Sequence, residues 1–199
     1  METDNLRIDF DDLIKQIESY NATRVGLQLP DGLKFRCSEI IDRLEKQGFQ
    51  VILSGSASYG ACDIDVSLLE EVDVLVHIGH SQLLNIDRII YIPYFIEYSL
   101  NFDEIKIEEK KIALIATIQY AWKLKEVKRE LEKRNYEVEL RRGRNMAFPG
   151  QVLGCNYSAL KNSNADAVLF IGDGLFHPVG AAIYTRKKVY RYSPLSKEF

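Results

Sequence analysis

Two of the chain's three cysteines sit in matching surroundings. Cys62 lies in "SYGACDID", residues 58–65, and Cys155 in "QVLGCNYSAL", residues 151–160. Each follows a glycine-containing loop and precedes a segment that reads as a short helix. The partial positive charge at a helix N-terminus favours the thiolate, the form that binds a metal. Asp63 and Asp65 suit a first helical turn, although their charge opposes a thiolate. A free cysteine is ordinarily a small packing residue. Two of them in equivalent loops argue instead for one shared task. Cys37, within "LKFRCSEII", differs: it sits in a helical stretch and reads as a packed core thiol.

A tetrahedral zinc site needs four ligands. Cys62, Cys155, His80 and His177 could supply a Cys₂His₂ set, but no two of them lie within the few residues of a compact zinc signature. Iron–sulfur clusters take thiolates from scattered loops. Two cysteines leave such a cluster short of ligands.

The elements that must position these residues come in two copies. "RVGLQL" at 24–29 resembles "KIALIA" at 111–116, each a short apolar run suited to a buried parallel strand. Helical stretches then lead into strands, "SEIIDRLEKQGFQVIL" at 38–53 and "KEVKRELEKRNYEVEL" at 125–140, with Gly48 and Asn135 as the helix stops. Arg24 and Lys111 are 87 positions apart, as are Gly48 and Asn135. Cys62 and Cys155 are 93 apart, as are Gly79 in "VDVLVHIGH" and Gly172 in "ADAVLFIGD". The extra six residues fall in "RRGRNMAFPG", where an insertion is cheap. Final strands are expected in "RIIYIPYF" at 88–95 and "KKVYRYSP" at 187–194.

This alternation predicts an α/β fold of two tandem parallel-sheet units, residues 1–103 with Cys62 and residues 104–199 with Cys155. Ligands of such sheets bind outside the carboxyl ends of the strands. The cysteine loops, "LPDGL" at 29–33, Gly79-His80 and Gly172-Asp173 all follow strands and belong to that edge. Two such edges facing each other would bring Cys62 and Cys155 together.

A hydrophobic content of 46% is enough for a real core, and a net charge of −3 argues against general nucleic-acid binding. The basic run "RRGR" at 141–144 reads as a solvated loop. The acidic N-terminus lacks an apolar signal, no stretch approaches the ~20 apolar residues of a membrane span, and three cysteines do not make a disulfide framework. A reducing cytoplasm is the expected setting.

Four motifs, "LQLPDGL", "YGACDID", "PGQVLGCN" and "IGDGLFHP", occur in order through nearly the whole chain and resemble the archaeal diphthamide-synthesis enzymes. The resemblance implies an unusual radical enzyme using S-adenosyl-L-methionine and a [4Fe–4S] cluster. It would transfer a 3-amino-3-carboxypropyl group to a histidine of translation elongation factor two. Cys62 and Cys155 would then be cluster ligands. Gln28, Pro30, Asp31, Gly32, Gly60, Gln151 and Gly154 would bind the cofactor. His80, Asp173 and His177 would bind substrate. Such enzymes have three repeats and three cysteines, so a third cysteine is expected from a further repeat, a homodimer or a partner subunit. A non-catalytic metal-binding pair of domains and a subunit lending two cysteines to a larger enzyme are the alternatives.

Overall fold

The computed structural model describes residues 8–199. The chain divides into a first unit ending at Tyr94 and a second beginning at Phe95.

The first unit opens with helix α1 (Phe10–Ser19), capped by the Asp9 carboxylate, which accepts from the Asp12 N–H at 3.0 Å. Strand β1 (Arg24–Gln28), helix α2 (Cys37–Glu45), strand β2 (Gln50–Leu53), strand β3 (Val74–Gly79) and strand β4 (Ile89–Pro93) follow. All pairings are parallel, in the order β2-β1-β3-β4. Leu13 and Ile17 of α1, Ile40 and Leu44 of α2, and Val25, Leu27, Val74, Val76 and Ile78 of the sheet form one buried cluster. Each such aliphatic side chain contributes about 1.5–3 kcal/mol on burial. Cys37 begins α2 and packs against this cluster, as its sequence context predicts.

The second unit repeats the plan. Strand β5 (Lys111–Ala116), short helix α3 (Ile118–Ala121), helix α4 (Leu124–Glu132), strand β6 (Glu137–Glu139), strand β7 (Ala167–Ile171), helix α5 (Phe176–Thr185) and strand β8 (Lys188–Tyr192) give the order β6-β5-β7-β8. The registers match: Val25 faces Val74 and Ile112 faces Ala167, displaced by 87 and 93 positions. Gly48 and Asn135 both adopt left-handed backbone, with φ of 92° and 66°, and end their helices there. The six extra residues form the loop before Cys155. It is closed by the Gly150 N–H to Arg141 O bond (2.7 Å), with Arg142 donating to Met146 O (3.2 Å).

Three details differ from the sequence-based expectation. The unit boundary falls nine residues earlier than 103, because Ile96, Tyr98, Leu100 and Phe102 pack against the second unit's α4 cluster. The segments after the cysteines are short 3₁₀ turns, Val66–Glu70 and Ser158–Leu160. The connection to the last strand contains a helix, α5, in the second unit alone among the described residues. No helix among the described residues is long and apolar enough to cross a membrane.

Candidate functional site

Both thiols sit at the third position of a four-residue turn. In the first unit the Asp63 N–H donates to Gly60 O at 3.0 Å, which puts Ala61 and Cys62 at the tip. In the second, Leu153 and Asn156 exchange both backbone bonds, at 3.1 and 3.0 Å, which puts Gly154 and Cys155 at the tip. All three cysteines are thiols, and Cys62 and Cys155 are exposed. Neither is aimed at by a helix N-terminus, because each 3₁₀ turn starts three or more residues beyond the thiol and is too short for a macrodipole.

The polar residues one and three positions after each cysteine are fasteners of these turns. The Asp63 carboxylate accepts from the Tyr59 N–H at 3.1 Å. The Asp65 carboxylate accepts from Ser54 and Ser67, both at 2.6 Å, and the Ser54 hydroxyl first of all holds it below the usual carboxylate range. In the second unit Asn156 Oδ1 accepts from Ser158 N–H and Oγ–H at 3.0 and 2.6 Å, and Ser158 Oγ accepts from Arg144 N–H at 2.7 Å. Side chains that bond local backbone compete with helix formation, which is why these segments do not become α-helices.

Behind the Cys62 turn lies a buried polar chain. Gln28 is 1% exposed. Its Nε2 donates to Asp63 O at 3.0 Å, and its Oε1 accepts from Asp65 N–H at 3.2 Å. The same Oε1 meets His77 Nδ1 at 2.8 Å, and His77 Nε2 meets His80 Nδ1 at 2.9 Å. Gln28 and His77 are register partners on β1 and β3, so their side chains share a sheet face. Burial pushes both histidines down to about 4. At neutral pH they are uncharged. His77 escapes a reading of "VDVLVHIGH" as an apolar strand. The available signal was a histidine inside a run buried on both faces, which requires a partner.

Gln28 and Gln151 are therefore not placed to hold a ligand. Gln151 is fully buried, and its Oε1 accepts from the Phe148 N–H at 3.1 Å. Both amides hold loop backbone. Asp31 and Gly32 are exposed in the 3₁₀ turn Asp31–Arg36. Lys34 of this turn pairs with Asp31 at 2.6 Å and donates to Ser56 O at 3.0 Å, which ties the turn to the loop after β2. Pro30 lies under Gly79, where an added Cβ would meet Pro30 Cγ at 2.7 Å and φ is 108°. Gly60 leaves room for a Cβ, which would meet Cys62 Sγ at 3.9 Å. Gly154 leaves none: a Cβ there would come within 2.3 Å of Phe176.

In the second unit the Asp173 carboxylate accepts from the Tyr120 and Ser193 hydroxyls. His177 stacks on Phe170 at 5.9 Å between ring centres, and burial lowers its pKa. Tyr157 donates to His177 O at 3.2 Å and so fastens the Cys155 segment to α5. Among the described residues no three His, Cys, Asp or Glu side chains are gathered to hold a metal. The donors on offer are two exposed thiols on equivalent turns, which suits soft thiolate ligation of part of an iron–sulfur cluster.

Fold and site thus define a duplicated parallel α/β protein with one thiol turn at the carboxyl edge of each sheet. The diphthamide synthesis protein family model matches residues 29–199, and the chain belongs to that family. It is 39% identical over 200 residues to the 2-(3-amino-3-carboxypropyl)histidine synthase of Pyrococcus horikoshii, covering 94% of this chain and 58% of the relative. Subunit 1 of the Nematostella vectensis synthase is 33% identical over 210 residues, covering 98% of this chain and 44% of the relative. The crystal structure of Dph2 from Pyrococcus horikoshii with a 4Fe–4S cluster superposes with a TM-score of 0.88 at 39% identity, covering 97% of this chain and 60% of that one. The chain therefore spans about three fifths or less of these relatives.

Proposed function

We propose that this chain provides two repeats of a 2-(3-amino-3-carboxypropyl)histidine synthase. In this reading S-adenosyl-L-methionine donates the 3-amino-3-carboxypropyl group and a histidine of translation elongation factor two accepts it, as the first step of diphthamide synthesis. The observation that carries the reading is the matched pair of exposed thiol turns at Cys62 and Cys155, on a chain 39% identical to a structure described with a 4Fe–4S cluster.

Cys62 and Cys155 would hold two irons of a [4Fe–4S] cluster, and a third thiolate would come from a further repeat or a partner subunit. When bound, the cluster would supply the electron that cleaves the bond between the sulfonium sulfur and the methionine γ-carbon. The chain's own residues then have distinct tasks. The turn fasteners Asp63, Asp65, Asn156 and Ser158 hold the thiols in place. The exposed backbone of Asp31, Gly32 and Gly154, and the half-buried backbone of Gly60, would hydrogen-bond the methionine carboxylate and ammonium, with Pro30 shaping its turn. His80 of the first unit, and Asp173 and His177 of the second, would be the substrate-binding polar groups.

The test is anaerobic reconstitution with iron and sulfide, the third cysteine being supplied on a fused or added segment. Iron and acid-labile sulfide per chain are measured, with transfer of label from S-adenosyl-L-methionine to the elongation factor. Both are expected, and both should vanish in Cys62→Ala and in Cys155→Ala. A reconstituted enzyme indifferent to Cys155 would overturn the reading.

A further inference from the structure

The protonation state of the buried chain in the first unit follows from its hydrogen bonds. The Gln28 amide cannot be flipped: Oε1 must accept from the Asp65 N–H, and Nε2 must donate to Asp63 O. An amide oxygen only accepts, so His77 Nδ1 carries a proton. A neutral His77 then has a lone pair on Nε2, and His80 must donate to it from Nδ1. That leaves the lone pair of His80 on Nε2. A doubly protonated His77 would reverse the last bond, but His77 is fully buried and the Asp63 carboxylate nearby does not offset the desolvation of a cation. His80 Nε2 accepts no bond from the protein and is not among the described side-chain polar atoms sealed without a partner, where Ser58 Oγ stands alone, so it keeps some contact with solvent. His80 itself keeps 9% exposure.

We propose that Gln28 and His77 are positioning residues that lock His80 in its Nδ1–H tautomer, so that its Nε2 accepts a hydrogen bond from an N–H-bearing ligand. Gln28 bonds the backbone on the far side of Cys62 at the same time, so one amide sets both the thiol turn and the histidine. The ligand part rests on the function proposed above, where two N–H sources meet this edge: the ammonium of the donor's methionine portion and the imidazole of the acceptor. The tautomer part does not.

The chain has three histidines, His77, His80 and His177, and ¹⁵N-histidine labelling resolves their ring nitrogens by NMR. At neutral pH, His77 and His80 should both show a protonated Nδ1 and an unprotonated Nε2. This is the opposite of the tautomer that free histidine prefers. His77→Phe, the residue found at the matching position 170, should release His80 to the Nε2–H form. His77→Gln, which keeps an acceptor for His80, should preserve the lock. A protonated His80 Nε2 in the unaltered chain, or a His80 tautomer indifferent to His77→Phe, overturns the proposal. Titration with imidazole and, separately, with methionine identifies the N–H source: a shift centred on His80 Nε2 with either one supports the acceptor role and names the source. No shift with either overturns that role. Reconstitution of iron is read separately from all of these signals, so failure of the synthase reading and failure of the lock are distinguishable.

Discussion

The sheet face opposite α2 and the sheet face opposite α4 are built from matching positions and filled in opposite ways. Across the first sheet run Gln28, His77 and Tyr91, in register on β1, β3 and β4. Across the second, at the same register, run Ile115, Phe170 and Arg191. Ile115 and Phe170 join an apolar cluster with Val152, Tyr157, Leu160 and Ala181, the last from α5. Gln28 and His77 join a hydrogen-bonded chain to His80, where the second unit has Asp173. The two copies share the backbone plan and the thiol turn, but one face packs apolar side chains where the other carries a polar chain. Equal roles are therefore expected where the copies agree, and unequal ones where they differ.

The largest effect should come where the copies agree. Cys62→Ala and Cys155→Ala should each abolish iron retention after anaerobic reconstitution, and to the same extent. Unequal loss would break the equivalence of the two turns. Next is the apolar face: Phe170→Ala should destabilise by about 3–5 kcal/mol in denaturant unfolding, because the cavity lies in a closed cluster. His77→Phe should cost less, about 1–3 kcal/mol, because it leaves Gln28 bonded to Asp63 and Asp65 and takes a partner only from the His80 ring.

Acid should separate the faces further. The folded pKa values of His77 and His80 lie near 4, below the ordinary 6.5, so the unfolded chain binds more protons between those values. Stability from the neutral pair is then complete above about pH 6.5 and falls as pH drops toward 4, by up to about 3 kcal/mol for each histidine, since one pKa unit is about 1.36 kcal/mol. His177 adds a contribution of the same sign in the second unit. Thermal unfolding between pH 7 and 4.5 should show this loss, and His77→Phe should flatten it. A pH-independent melting temperature would mean that the histidines titrate normally. The smallest effect is Cys37→Ala, which should lower the melting temperature slightly and leave iron content unchanged.

Much of this was legible in the sequence, because parallel strands and helix stops have local signatures. The 87- and 93-residue spacings located both sheets, and Gly48 and Asn135 marked the helix ends. The turn geometry at the cysteines was misread, because Asp63 and Asp65 look like first-turn residues and act as loop fasteners. Gln28 was misread for a related reason. A glutamine at a strand's carboxyl end suggests a ligand, but the register with His77, which only the sheet supplies, turns it inward. The unit boundary moved because Ile96, Tyr98, Leu100 and Phe102 carry no regular periodicity yet fill the second core.

The strand order has a consequence for how the chain reaches this state. The central pairs join residues far apart in the sequence, Val25 to Val74 and Ile112 to Ala167. Each sheet must close a long loop before its middle can form, which places the rate-limiting search in non-local contacts. The six-residue insertion lengthens the second loop but adds only about 0.1 kcal/mol of closure entropy, so the two searches are nearly equally difficult. They are not simultaneous on the ribosome. The first unit's last strand ends at Pro93 and its boundary at Tyr94, so its sheet is complete in sequence before β5 has been synthesised. A nascent chain arrested after the first unit has cleared the exit tunnel should already protect the Gln28 amide.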